Sequence, residues 1–507
     1  MDESAPQVDR LIRVDRPGEV AVTAAQGSLT WDELERRACR VANALDAAGV
    51  GGGGVWAVLS HNRIEWPEIM LGNARAGSRY VPLNWHLTAG ELAELLVDSG
   101  AGLLVVDPAL RAAAVAAAAI AGVERVIELG DEYEAWLHDA PDTPPTERPI
   151  GSPLLYTGGT TGRSKGVTRS DQSGPASNWS RMWAGWGRLV RMPPQGRMLV
   201  TTPLYHALGG AGAGAALATG VPVVIEPRFT PESALAAIER HAITSSVMVP
   251  TQFVRMLKLD RDVRERYDVS SVRWILHTAA PCPDWAKRAM IDWFGPVIYE
   301  MYGASEGAGP AICDSHEWLA HPGTVGRASA RIEYSIVDDD GNDLPAGEVG
   351  TIYCKRVDGA PEYYRDADKT ASIRLPDGRF TVGDIGWLDD EGFLYLADRR
   401  VDLIIVGGTN VYPAEIEAVL VQHPAVGDAA VFGIPDPEWG QQIKAVLEPA
   451  STGRGVDVEA VRVFAAERLA PFKIPASFDV VDALPREAHG KLKKRLLREP
   501  YWRDATP

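Results

Sequence analysis

Lys165 is the single lysine in a run of small and hydroxyl-bearing residues, YTGGTTGRSKGV at 156–167, with Arg163 the other cation. Glycines let backbone N–H groups approach an anion closely, threonine hydroxyls add donors, and a lysine supplies a point charge. Thr157, Gly158, Gly159, Thr160, Thr161, Gly162 and Lys165 together therefore form a candidate phosphate cradle. The same composition also suits a turn-rich surface loop. The Walker pattern does not fit, because it needs glycine directly before the lysine and Ser or Thr after it. Here Ser164 precedes Lys165 and Gly166 follows, which disfavours a P-loop nucleotidase.

Six further segments carry residues of the same chemical kind: PLYH at 203–206, HTAAP at 277–281, YGASEG at 302–307, GDIGWLDDEGFLYLADR at 383–399, GGTNVYPAEIE at 407–417 and PREAHGK at 485–491. Taken in this order with the glycine–threonine loop, they resemble the adenylate-forming (ANL) superfamily, and in texture its acyl-CoA synthetases for fatty or aryl acids. The resemblance spans roughly residues 10–500. It implies an AMP-forming acid–CoA ligase. A carboxylate attacks the α-phosphorus of ATP, pyrophosphate leaves, and the thiol of coenzyme A then displaces AMP. ATP, Mg2+ and coenzyme A are the implied cofactors and a small acid the implied substrate.

The resemblance also implies a role for each matched residue. The loop from Thr157 to Gly162, with Lys165, would hold the β- and γ-phosphates, and Ser305 the α-phosphate. Glu306 would bind magnesium, a hard cation suited to oxygen ligands. Ala280, Pro281, Tyr302 and Gly303 would face adenine, with Tyr302 stacking on it. Asp384 would accept both ribose hydroxyls, and Arg399 would reach ribose or phosphate. His206, His277 and Thr278 would border the acid pocket, His206 positioning substrate without transferring a proton. Lys491 would bridge the acid carboxylate and the α-phosphate, and Gly407–Gly408 would lie along the coenzyme path. Lys491, Glu306 and His206 are thus the expected catalytic residues.

Four positions depart from the family pattern. Gly158 stands where serine is usual, and Thr278 where glycine is common. The bulk of Thr278 implies a short or aromatic acid. Val401 occupies a hinge position that commonly carries Asp or Lys, and Val406 replaces the serine before the paired glycines. The last two leave a second reading open: a divergent adenylating enzyme whose acceptor is an amine or carrier protein, or one that activates an inorganic oxyanion such as nitrite.

These groups need elements to position them. At about 150 residues per domain, 507 residues give roughly three units, or two with one large. Through the first 300 residues, short apolar strands such as VWAVLS and GLLVVD alternate with helical stretches such as TWDELERRACRVANALDAAGV, N-capped at Thr30 and stopped near Gly49. That rhythm predicts an α/β fold of mostly parallel sheets with functional residues at the carboxyl ends of strands. After residue 325, RIEYSIVDDDGNDLPAGEVGTIYCKR predicts antiparallel hairpins in a barrel-like region, and the last hundred residues form a small α+β unit with βαβ character. The expected division is a large domain over 1–398, a hinge at 399–402 and a small mobile domain over 403–507.

Composition bounds the partners. Fifty-one Lys and Arg against 68 Asp and Glu give a net charge of −17, which argues against nucleic acid or an anionic membrane as the main partner. Cys39, Cys282, Cys313 and Cys354 form no C-x-x-C pair and predict free thiols in a cytoplasmic chain. The opening MDESAPQVDRLIRVDRPGE lacks the basic and apolar regions of a secretion signal. Residues 103–123 predict a strand and an Ala-rich helix, not a membrane span. GGAGAGAAL at 209–217 predicts a close-packed helix start, whereas NWSRMWAGWGRL at 178–189 fits either an aromatic pocket wall or a core helix. A monomer or homodimer is expected.

Overall fold

The computed structural model describes residues 11–502 except 13, 158–164, 169–173, 305–306, 339, 358, 400–401, 407–408, 437–438, 451–454 and 487–491. Thr30 caps the helix Trp31–Ala47: its hydroxyl accepts the Glu33 N–H at 3.2 Å while the Glu33 carboxylate accepts the Thr30 N–H at 2.8 Å. This reciprocal box satisfies two amide donors that a helix start otherwise leaves bare. The helix buries Leu34, Ala38, Val41 and Leu45, packing on the helix Trp66–Ala76. There Gly72 is required, because a Cβ would come within 2.5 Å of the Val41 side chain.

The largest sheet holds six mutually parallel strands in the order Ile298–Tyr302, Trp274–His277, Ser245–Met248, Met198–Val200, Val223–Ile225 and Val20–Ala24. Trp274 and Leu276 face one hydrophobic core, while Ile275 and Ile298 face another beneath the helix Asp284–Phe294. Burial on both faces is what a parallel sheet between helices demands. Beyond Tyr302 the sheet continues antiparallel through Ala311–Cys313, Thr324–Ala328, Phe393–Arg399, Asp384–Leu388, Gly350–Arg356 and Ile332–Val337. The predicted hairpin region is therefore hydrogen-bonded to the parallel strands edge to edge, with its own core around Ile336, Ile352, Phe380 and Leu394.

A second sheet of five parallel strands contains Val55–Leu59, Arg79–Leu83 and Leu104–Val106. The last of these is followed by the helix Arg111–Ala121, as the sequence predicts. No helix among the described residues is long and apolar enough to cross a membrane.

The last strand of the large sheet ends at Arg399, and a separate small sheet begins at Ile404–Val406. Its remaining strands are Thr409–Val411, Val426–Asp436, Gly440–Pro449 and Ser477–Val480. All its pairs are antiparallel except Gly440–Pro449 with Ser477–Val480, which flank the helix Val458–Ala466 and form the expected βαβ unit. Ile404, Ile416, Leu420, Val431, Leu447 and Val461 make its core. Each such aliphatic side chain contributes roughly 1.5–3 kcal/mol on burial. That independent core is what qualifies the segment as a domain of its own.

Candidate active site

Parallel strands release their polar residues at their carboxyl ends, and of the predicted site residues His206, Thr278 and Tyr302 stand at or after such ends. His206 caps the Gly- and Ala-rich helix Ala207–Ala218, its Nδ1 accepting the Leu208 N–H at 3.4 Å. The strand Trp274–His277 hands over to Thr278, which is buried, and then to an exposed turn through Ala279 and Pro281. Ala279 has φ of +76°, a left-handed conformation that costs a side-chain-bearing residue energy and must be held by its surroundings.

His277 does not join this turn. Alternation along the strand aims its ring at the helix Asp284–Phe294 side, edge-on to Phe253 at 5.2 Å and with no exposed surface. The expectation that it borders the acid pocket is corrected: burial seals it beneath the site. Burial and the nearby Lys287 charge hold its pKa well below the ordinary value, so the ring is neutral.

Tyr302 ends the next strand, and its hydroxyl donates to Asp384 Oδ2 at 2.7 Å. Both residues are 7% exposed. Burial and the Asp384 charge push the phenol pKa well above its ordinary range, so Tyr302 remains a donor. Its ring packs in the antiparallel core, 6.1 Å from Tyr334, which leaves little open face for stacking. What the geometry gives Tyr302 is the orientation of Asp384. Antiparallel register sets Asp384 opposite Arg399, so two residues 15 positions apart in the motif share one rung.

After Tyr302 the chain turns tightly. The Ala304 N–H donates to Ala308 O and the Gly307 N–H to Ala304 O, both at 2.8 Å. Arg356, from a neighbouring strand, donates to Gly307 O at 2.9 Å. Gly309 is required, because a Cβ would meet Tyr302 O at 2.6 Å. Ser305 and Glu306 lie outside the described residues, but this turn fixes the chain on both sides of them. Among the described residues no cluster of three or more His, Cys, Asp or Glu has the arrangement of a metal site. A divalent ion carried by a triphosphate draws most of its oxygens from phosphate and water, so one loop carboxylate is a sufficient protein ligand.

The strands Leu155–Thr157 and Lys165–Thr168 pair antiparallel, with Thr157 opposite Lys165. The glycine–threonine loop, Gly158 to Gly162, lies outside the described residues; its ends are the two strands of a hairpin. A Cβ at Gly166 would come within 3.1–3.3 Å of the Tyr364, Leu154 and Tyr156 side chains, so a larger residue would need these neighbours to give way.

The small domain presents its own segment. Arg486 and Leu492 form an antiparallel bridge, the Lys493 N–H donates to Pro485 O at 2.8 Å, and Arg486 pairs with Asp428. Lys491 lies between these anchors and outside the described residues. Burial, and after it the Lys493 charge, lowers the pKa of His86 in the turn after the large-domain strand Arg79–Leu83. Lys258 spans the seam elsewhere, donating to Val426 O and, at 3.3 Å, to Gly427 O. Gly407 and Gly408 lie outside the described residues, while Val406 pairs with Gly440 beside exposed Ile405 and Trp439.

The helix Trp179–Leu189 packs on the core, with Trp183 and Trp186 partly buried against it. Trp179 is buried, and Trp183 lies so close to Gly214 that a Cβ there would come within 3.0 Å of the indole. The glycine stripe at 209–217 is thus the complement of a tryptophan face.

The family profile of AMP-binding enzymes matches residues 13–364, and that of their C-terminal domain residues 415–491. The chain belongs to this adenylate-forming family. Among its relatives, a feruloyl-CoA synthase of an Amycolatopsis species is 34% identical over 96% of both chains. A fatty acid–[acyl-carrier-protein] ligase of Streptomyces coeruleorubidus is 31% identical, covering 99% of this chain and 98% of the relative. The solved amide bond synthetase McbA of Marinactinospora thermotolerans superposes with a TM-score of 0.80 at 29% identity, covering 96% of this chain and 98% of that one. These AMP-binding enzymes share the scaffold and differ in acceptor.

Three features of this family member have no counterpart in the motif reading: Arg356 behind the Gly307 carbonyl, the left-handed Ala279, and Lys258 at the domain seam. Arg356 and Lys258 each depend on partners far away in sequence. Only His277 carried a local signal, since period-two alternation puts it on the Ile275 face.

Proposed function

We propose that the protein is an AMP-forming acid–CoA ligase acting on a short or aromatic carboxylic acid. The observation that carries this reading is the Tyr302–Asp384 hydrogen bond at the end of the parallel strands. It orients a two-oxygen acceptor, on the rung shared with Arg399, as a vicinal diol of ribose requires. In the first step the acid's carboxylate oxygen bonds to the α-phosphorus and pyrophosphate leaves. In the second, the thiolate of coenzyme A bonds to the acyl carbon and AMP leaves.

Each residue serves one of these steps. Asp384 and Arg399 hold ribose, Thr157, Gly158, Gly159, Thr160, Thr161, Gly162 and Lys165 cradle the outer phosphates, and Ser305 donates to the α-phosphate. Glu306 would hold magnesium, which would supply positive charge beside the outer phosphates. Lys491 enters between the two anions and lowers their repulsion. His206 and Thr278 border the acid; the buried side chain of Thr278 narrows that wall, supporting a compact substrate. Hinging about 399–402 would exchange Lys491 for the Gly407–Gly408 face between the steps.

A second acceptor class, an amine or a carrier protein, is favoured by the apolar surface around Val406, Ile405 and Trp439 and by the likeness to McbA. One experiment separates the two. A panel of acids is incubated with Mg-ATP and coenzyme A, and AMP and thioester are followed by mass spectrometry. Acid-dependent AMP with thioester supports the ligase. Pyrophosphate exchange without thioester transfers the reading to the other acceptors, and no acid-dependent exchange overturns both.

A further inference from the structure

Directly beneath the site lies a buried charged cluster that neither half-reaction uses. His277, Glu300 and Cys313 are register partners across three adjacent strands. Lys287 reaches over them from the helix Asp284–Phe294. Its Nζ lies 2.5 Å from Glu300 Oε2, 3.9 Å from Cys313 Sγ and 4.9 Å from the centre of the Trp318 ring. His277 and Lys287 have no exposed surface, and Glu300 is 7% exposed.

Burying an ion pair gives little net stability, because desolvation offsets the Coulomb attraction and apolar fill of equal volume does as well. Such a pair instead fixes orientation. His277 adds a second oddity: both ring nitrogens are buried without a hydrogen-bond partner, with Nε2 3.7 Å from Glu300 Oε2. A buried polar group left so calls for an explanation. The Glu300 carboxylate stands between Lys287 and His277, positioned to serve both.

The neighbours of these residues are the site. His277 is followed by Thr278 and the strained Ala279, Glu300 lies two residues before Tyr302, and Lys287 sits in the first turn of the helix that follows the 278–283 segment. We propose that Lys287, Glu300 and His277 form a positioning unit that locks the Thr278–Pro281 turn against the Tyr302 strand and so sets nucleotide affinity. The inference rests on reading these strand ends as the nucleotide seat. Buried beneath the strand ends, the three act through Tyr302 and Asp384.

The test is calorimetric titration of AMP into the full chain, paired with thermal unfolding and the Michaelis constants for ATP and acid. Glu300→Gln, which strands the Lys287 charge, is expected to lower both melting temperature and AMP affinity. The double variant Lys287→Met/Glu300→Gln removes both charges and is expected to regain melting temperature. Its AMP affinity is expected to stay about tenfold weak, the scale of one lost hydrogen bond. Native AMP affinity in the folded double variant would overturn the proposal. Were that variant not to fold, native affinity in His277→Phe, which keeps the ion pair and the packing on Phe253, would do the same. A native chain that binds no AMP would instead overturn the reading of the seat, and this proposal with it.

Discussion

At the end of the parallel strands the large domain holds its polar groups by burial: Tyr302 on Asp384 and Lys287 on Glu300. The small domain holds the ends of its lysine segment by surface and half-buried contacts, Arg486 with Asp428 and Lys494 with Glu417 at 2.8 Å. The first arrangement cannot move without exposing unpaired groups. The second can travel as a unit with its own sheet. On the proposed function, affinity for nucleotide belongs to the large domain, and the rate of the first step to Lys491, which the small domain would deliver.

Substitutions that separate affinity from rate break or sharpen this contrast. Lys491→Ala is expected to slow acid-dependent adenylation about 100-fold or more, as loss of a charge-stabilising donor does. AMP affinity, read by calorimetry, is expected to stay near native. Asp384→Ala reverses the pattern. Losing a buried charged acceptor costs about 2 kcal/mol, so the ATP Michaelis constant is expected to rise roughly 30-fold. A lower melting temperature should accompany it, because the Tyr302 hydroxyl loses its acceptor. Tyr302→Phe keeps the carboxylate and loses only its orientation, for about 1 kcal/mol or roughly fivefold in the same constant.

The smallest effect is a stability slope. His277 has a folded pKa well below its unfolded value because of burial. The unfolded chain therefore binds the extra proton first as pH falls. The stability that neutral His277 contributes is complete above about pH 6.5 and is lost below it, by up to about 1.4 kcal/mol per pH unit. Urea midpoints between pH 7 and 5 should fall in the native chain and fall less steeply in His277→Phe.

The sequence showed the site's inventory far better than its assembly. The N-cap at Thr30 and the hairpin across 332–356 are local patterns, fixed by residues within a turn or two, and they appear where expected. The bond between Tyr302 and Asp384 joins residues 82 apart and follows from the edge-to-edge union of parallel and antiparallel strands. The left-handed backbone at Ala279 is equally hidden, since alanine gives no sign of it. His277 shows the opposite case: strand alternation already put it on the helix face, and the motif drew attention to the wrong side.

One pair of measurements on one variant bears most directly on the division between seat and delivered cation. Acid-dependent ATP–pyrophosphate exchange and AMP titration are made on the native chain and on Lys491→Ala. Exchange reduced about 100-fold with AMP affinity preserved is the expected result. Exchange at the native rate in Lys491→Ala would contradict it.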